Sequence, residues 1–176
     1  MNSPATIVRV LGLVIAPMLL AGSPAASEPL RAAVFDFELL DTSLQGAVNG
    51  PQPEEQRRLN EVTELLRKGL AVGGKFVVLD IASVNAAAHA SNLQACGGCD
   101  VQYAQKLGAD LSITGLVQKV SALILNMNIY LKDAHTGQLI TVMSADFRSN
   151  TDESWSRTMS YLLRNRLLAP NFGATQ

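Results

Sequence analysis

The chain has 176 residues, a formal net charge of −1 and only 16% charged residues. That length suits one domain with a real core and is short for two. Beyond Arg57-Arg58 and the spaced Arg157, Arg164 and Arg166 there is no basic cluster, and aromatics make up 5%, which argues against a nucleic-acid surface of either the electrostatic or the base-stacking kind.

Residues 1–26 read as an export signal. Arg9 is their one positive charge, Val10 to Ala21 is nearly all apolar, and small residues follow at Ala21, Gly22, Ser23, Ala25 and Ala26. An uncleaved anchor is the alternative, but the apolar run is short for a membrane span and Pro17 interrupts it. Loss of the segment removes Arg9 and leaves a net charge of −2. The sequence therefore predicts a soluble periplasmic protein with no stable membrane span, one domain over 27–170, and a frayed tail over 171–176.

Ala32 to Leu40 is the first predicted strand, with Phe35 and Phe37 on one face and Asp36 and Glu38 on the other. The two acids suggest metal or acid–base work, or simply a solvated side. Asp41 to Pro53 reads as a loop, because Thr42, Ser43, Gly46, Asn49, Gly50, Pro51 and Pro53 are turn or breaker residues. Its length suits a partner-binding loop or a spacer, with Asp41, Thr42, Leu44, Gln45, Asn49 and Gln52 as the candidate contacts.

Glu54 to Leu70 is a predicted helix with an apolar stripe of Leu59, Val62, Leu66 and Leu70. Glu54-Glu55 suits its positive start, and Arg67-Lys68 its end. Lys75 to Ile81 is continuously apolar through Phe76-Val77-Val78-Leu79, which predicts a strand covered on both faces. Strand, helix and strand in succession favour a parallel unit. Ala82 to Gln94 is a weak helix, and a further helix runs from Cys99 or Asp100 to Leu107, stopped by Gly108.

Three strands then follow with almost no loop, from Leu111, from Leu123 and from Gln138. Leu125, Met127, Ile129 and Leu131 alternate with Asn126, Asn128, Tyr130 and Lys132, the period of a strand with one buried face. A last helix starts near Asn150, with Asn150 and Glu153 at capping-box spacing. Trp155, Met159, Leu162, Leu163 and Leu167 form its apolar stripe, set to shelter the meander. The prediction is an α+β domain with one mixed sheet, ordered β-α-β-(α)-α-β-β-β-α.

Cys96-Gly97-Gly98-Cys99 holds the two cysteines. An oxidising compartment favours a disulfide, contributing about 2 kcal/mol by closing so small a loop. Dithiol redox chemistry and metal ligation are the alternatives. The pair follows no clear strand, no aromatic precedes Cys96, and the prolines beyond the signal fall at Pro29, Pro51, Pro53 and Pro170, away from the core. Residue 100 is Asp, so a c-type haem motif is excluded. His89 and His135 are the only histidines and read as exposed rather than as zinc ligands. No serine elbow, HExxH, phosphate loop or dinucleotide glycine set occurs, so neither a cofactor nor a catalytic residue is predicted.

AVFDFELLDTSL, the CGGC segment, Gly108-Ala109-Asp110 with Thr114-Gly115, and TDESWSRTMSYLLRNRL together resemble a family of exported bacterial proteins without established function. The likeness covers most of the chain beyond residue 26. It implies an accessory role, since some members are encoded near quinoprotein alcohol dehydrogenases. More distantly the organisation is similar to the TolB N-terminal domain and the CsgG-like fold, with Asp133, Thr136 and Gly137 closing the pattern. Leu20-Ala21-Gly22-Ser23 is similar to a lipoprotein signal whose lipidated Cys is replaced by Ser, so membrane anchoring is not implied. These motifs are structural rather than catalytic. They imply a periplasmic binding or assembly module with a protein partner, compatible with a homo-oligomer; a thiol–disulfide redox protein is the alternative.

Overall fold

Alternating burial organises the sheet. In the computed structural model, which describes residues 28–173, Leu125, Met127, Ile129 and Leu131 are all sealed from solvent while their neighbours stay partly wet. They lie on β5 (Ile124–Asp133), which pairs antiparallel with β4 (Leu111–Ser121) and β6 (Leu139–Phe147). The expected meander is therefore present. Ahead of it come β1 (Leu30–Val34), β2 (Glu38–Asp41), α1 (Leu44–Asn49), α2 (Pro53–Val72), β3 (Phe76–Val78), α3 (Ala82–His89) and α4 (Cys99–Lys106). After it come α5 (Asp152–Leu162), a π-helical turn over Leu163–Leu167 and a 3-10 turn over Pro170–Gly173. The result is the expected single mixed α+β domain. The sheet order is β3-β1-β4-β5-β6, with β2 also on β4.

The first strand departs from its expected course. It breaks at Phe35-Asp36-Phe37, giving β1 against residues 111–113 of β4 and β2 against residues 116–119, both parallel. The break turns the two phenyl rings to opposite sides. Phe35 packs with Ile81, Val84 and Ala104 under α3 and α4, whereas Phe37 joins the larger core under α2 and α5. Gly115 makes room for this, because a Cβ there would overlap the Phe37 ring.

Two other expectations are corrected. The Asp41 to Pro53 segment is not wholly loop: Ser43 caps the short helix α1 through Oγ, which accepts from Gly46 N at 3.0 Å. The apolar run at Lys75 to Ile81 forms only the three-residue edge strand β3, with Val77 44% exposed, because one side of it meets no neighbouring strand among the described residues. β1 and β3 pair in parallel, as expected.

The last helix starts one residue later than expected, and its capping box uses Thr151 and Ser154 rather than Asn150 and Glu153. Asn150 is occupied elsewhere: its Oδ1 accepts from Trp155 Nε1 at 2.8 Å. Trp155 is buried and packs edge-on to Phe147 at 5.9 Å, so α5 shelters the meander as the stripe predicts. The tail expected to fray is described only to Gly173, and within it Phe172 packs against the main core. The segment read as an export signal lies outside the described residues. Among those described, no helix is long and apolar enough to cross a membrane.

Candidate functional site: a groove beside the β2 edge

The placement of β2 creates an open edge. Its residues 38–41 face β4 on one side, where Thr42 N donates to Lys119 O at 2.9 Å. Alternation along a strand then turns the N–H and C=O of Leu39 and Asp41 to the other side. There they meet no partner among the described residues. β3, which pairs with β1, does not extend far enough to cover them.

A cavity of about 630 Å³ runs along this edge. β2 is its floor. Pro51, Gln52, Gln56 and Leu59 at the start of α2 form one wall, and α3 with the chain to Gln94 forms the other. At one end Asp36 accepts from Arg67 Nη2 at 2.7 Å and faces His89 Nε2 at 2.7 Å. The expected solvated acid is thus paired, and Arg67, read as a helix-end charge, also donates to Val34 O. Glu38 Oε1 accepts from Leu93 N at 2.9 Å, tying the far wall to the floor.

At the other end Asp41 meets a buried charge cluster. Lys119 is fully buried, and its Nζ donates to Glu55 at 2.6 Å and to Asp41 at 3.0 Å. Burial alone pushes the ammonium down, but the two carboxylates outweigh it and hold Lys119 above its ordinary value. Burial likewise pushes the Asp41 carboxyl up, while hydrogen bonds from Ser43 and the Lys119 ammonium leave it below. Asn150 Nδ2 donates to the same Glu55 oxygen at 2.7 Å, linking β2, α2, β4 and the start of α5.

Of the candidate loop residues, Asp41 and Gln52 line the groove; Thr42, Leu44, Gln45 and Asn49 do not. Gln52 instead ties the loop to itself, with Nε2 donating to Gly50 O at 2.8 Å. Leu44 and Val48 stand 81% and 73% exposed, one helical turn apart on α1. Sequence reasoning missed Asn85, Gln56 and Leu93 as site residues. The spacing of Asn85 and His89, four apart on α3, was the available signal.

Cys96 and Cys99 are bonded, with Cα atoms 5.6 Å apart, and neither lines the groove. Gly97 and Gly98 both take positive φ, which lets the turn deliver Cys99 into the first turn of α4. Beside it Asp100 is buried, accepting from Ser112 Oγ at 3.0 Å and from Lys132 Nζ at 3.1 Å. His89 and His135 are near Asp36 and Asp110 respectively, not near the cysteines. Among the described residues no three His, Cys, Asp or Glu side chains converge as metal ligands.

Residues 30–167 match the model of the DUF3280 family, described as "Protein of unknown function (DUF2380)". The chain belongs to this family. No curated protein sequence matches it significantly. In structure, this DUF3280 chain resembles the LpoB C-terminal domain from Salmonella enterica, with TM-score 0.52, 17% identity, and coverage of 72% of this chain and 88% of that one. The LpoB C-terminal domain from Escherichia coli gives TM-score 0.47 at 18% identity, covering 75% and 90%. TolB from Acinetobacter baumannii gives 0.44 at 13% identity, covering 78% of this chain and 28% of TolB. The first of these likenesses shows a shared fold.

Proposed function

We propose that this DUF3280 chain is an exported, non-catalytic docking protein that holds an extended segment of a partner protein along the β2 edge. The observation that supports this reading is the unpaired backbone of Leu39 and Asp41, opening into a walled groove of about 630 Å³. An open strand edge pairs readily with another chain, and adjoining side-chain pockets give such pairing its specificity. Export and a periplasmic location rest on the reading of residues 1–26. The resemblance that links relatives to quinoprotein alcohol dehydrogenases supplies one partner class to try first.

Affinity capture from the exported fraction tests the proposal. Leu39→Pro removes one outward N–H and leaves the β4 ladder intact. The partner retained by the wild type is expected to be lost with this variant. A partner that stays bound to it would remove the edge from the proposal.

A further inference from the structure

Charge compensation along the groove is uneven. Asp36 is matched by Arg67 and His89, and Asp41 by Lys119. Glu38 has no cation within ion-pair distance among the described residues. One of its oxygens accepts from Leu93 N, and the other meets no donor among the described residues. On the α3 wall of the same groove, Asn85 Oδ1 is buried and accepts no hydrogen bond. A buried acceptor without a donor is costly, and a ligand donor would relieve it.

The strand register decides which side of an added strand meets these groups. Glu38 and Leu40 pair with Leu116 and Gln118, while Leu39 and Asp41 pair with Val117 and Lys119. Val117 and Lys119 are buried toward α2. Glu38 and Leu40 therefore face the opposite side, toward the α3 wall. Leu40 is 46% exposed and offers an apolar rest for a long side-chain stem.

Resting on the docking reading, we infer that the segment held in this groove is basic: an extended peptide whose Arg or Lys seats between Glu38 and Asn85, with its stem across Leu40. The cation supplies donors to both acceptors and the charge that Glu38 lacks. An acidic or phosphorylated segment would meet the same carboxylate as a like charge. A bare divalent cation would find too few converging ligands among the described residues.

The probes are three capped hexapeptides of alternating Val and Thr that differ at one central position, Arg, norleucine or Glu. Binding to isotope-labelled protein is followed by amide shifts, with Leu39 and Asp41 as reporters. The Arg peptide is expected to bind about tenfold more tightly than the norleucine peptide, the scale of one charge-assisted hydrogen bond. Glu38→Gln keeps an acceptor for Leu93 N, so it should preserve the fold. In that variant, and in Asn85→Leu, the preference for Arg over norleucine should fall to about twofold or less, while both peptides still shift the Leu39 and Asp41 reporters. Equal binding of the three peptides with the β2 reporters shifting would overturn the basic preference and leave edge docking standing. If no peptide moves those reporters at millimolar concentration, both readings fall.

Discussion

Lys119 shows how much one buried side chain can hold together. Its ammonium joins Asp41 at the end of β2 to Glu55 near the start of α2, and Asn150 adds the entry to α5. Removing it leaves two carboxylates in the core without a cation. Lys119→Met is expected to cost about 3–5 kcal/mol, read as a fall in the urea midpoint, whereas the triple change with Glu55→Gln and Asp41→Asn should recover part of that loss. Acid acts on Asp41 of this cluster and on pairs outside it. The Arg31 guanidinium, hydrogen-bonded to Asp110, holds its carboxyl down to about 2. A carboxyl depressed in the folded state contributes stability that is present above its unfolded value near 3.8 and lost as pH falls through the folded one. Asp41 and Asp152 are lowered too, the second by Arg58 and Arg57. Stability should therefore drop between about pH 5 and pH 2. Asp110→Asn should lower the stability at neutral pH and flatten part of that acid slope in denaturation curves taken across the range.

Among the elements, β2 depends on a contact that the sequence does not advertise. Phe37 sits at the break between β1 and β2, over the missing side chain of Gly115. Gly115→Ala forces the ring to move and is expected to cost about 1–3 kcal/mol by overpacking, with faster amide exchange in residues 38–41 than in β5. The disulfide sits on a separate element. Cys96→Ser with Cys99→Ser should lose about 2 kcal/mol, the entropy of a small closed loop, without changing what the groove binds. The same contrast explains what could be read in advance. β5 and α5 were legible because each buries one face with an unbroken period, as at Leu125 to Leu131 and Trp155 to Leu162. The β1–β2 break was not, because the spacing of Phe35 and Phe37 in the sequence is that of one continuous strand face, whereas the chain breaks there and sends the rings into two separate clusters. α1 buries none of its residues, so it leaves no apolar period to detect. The groove was half legible: Asp41 and Gln52 lie in the expected segment, but the α3 wall depends on a pairing between Glu38 and Leu93 that is 55 residues apart in sequence.

Across the whole molecule, the core is closed by its last segment. Leu162 and Leu167 are fully buried against the α2 face carrying Leu66 and Leu70. Leu163 lies over Gly69, where α2 has no side chain to obstruct it. Phe172 adds only a partly buried ring, with the Lys75 ammonium 4.7 Å from its centre. Two truncations separate these contributions. Ending the chain at Ala169 removes the 3-10 turn and should cost only about 1–2 kcal/mol, the scale of a half-buried aromatic ring. Ending it at Leu162 removes Leu163, Leu167 and Leu168 as well and uncovers the side of α2 they sealed. Losing one fully buried leucine alone costs about 2–5 kcal/mol, comparable to a large part of a small domain's net stability. The shorter chain should therefore melt with little cooperativity and shift Trp155 emission to the red, because the end of α5 loses the leucines that continue its contact with α2. The Ala169 chain should keep both a sharp transition and blue-shifted emission. If the Leu162 chain behaved in the same way, the meander with α5 would be self-sufficient, and the segment after α5 would have no part in closing the core.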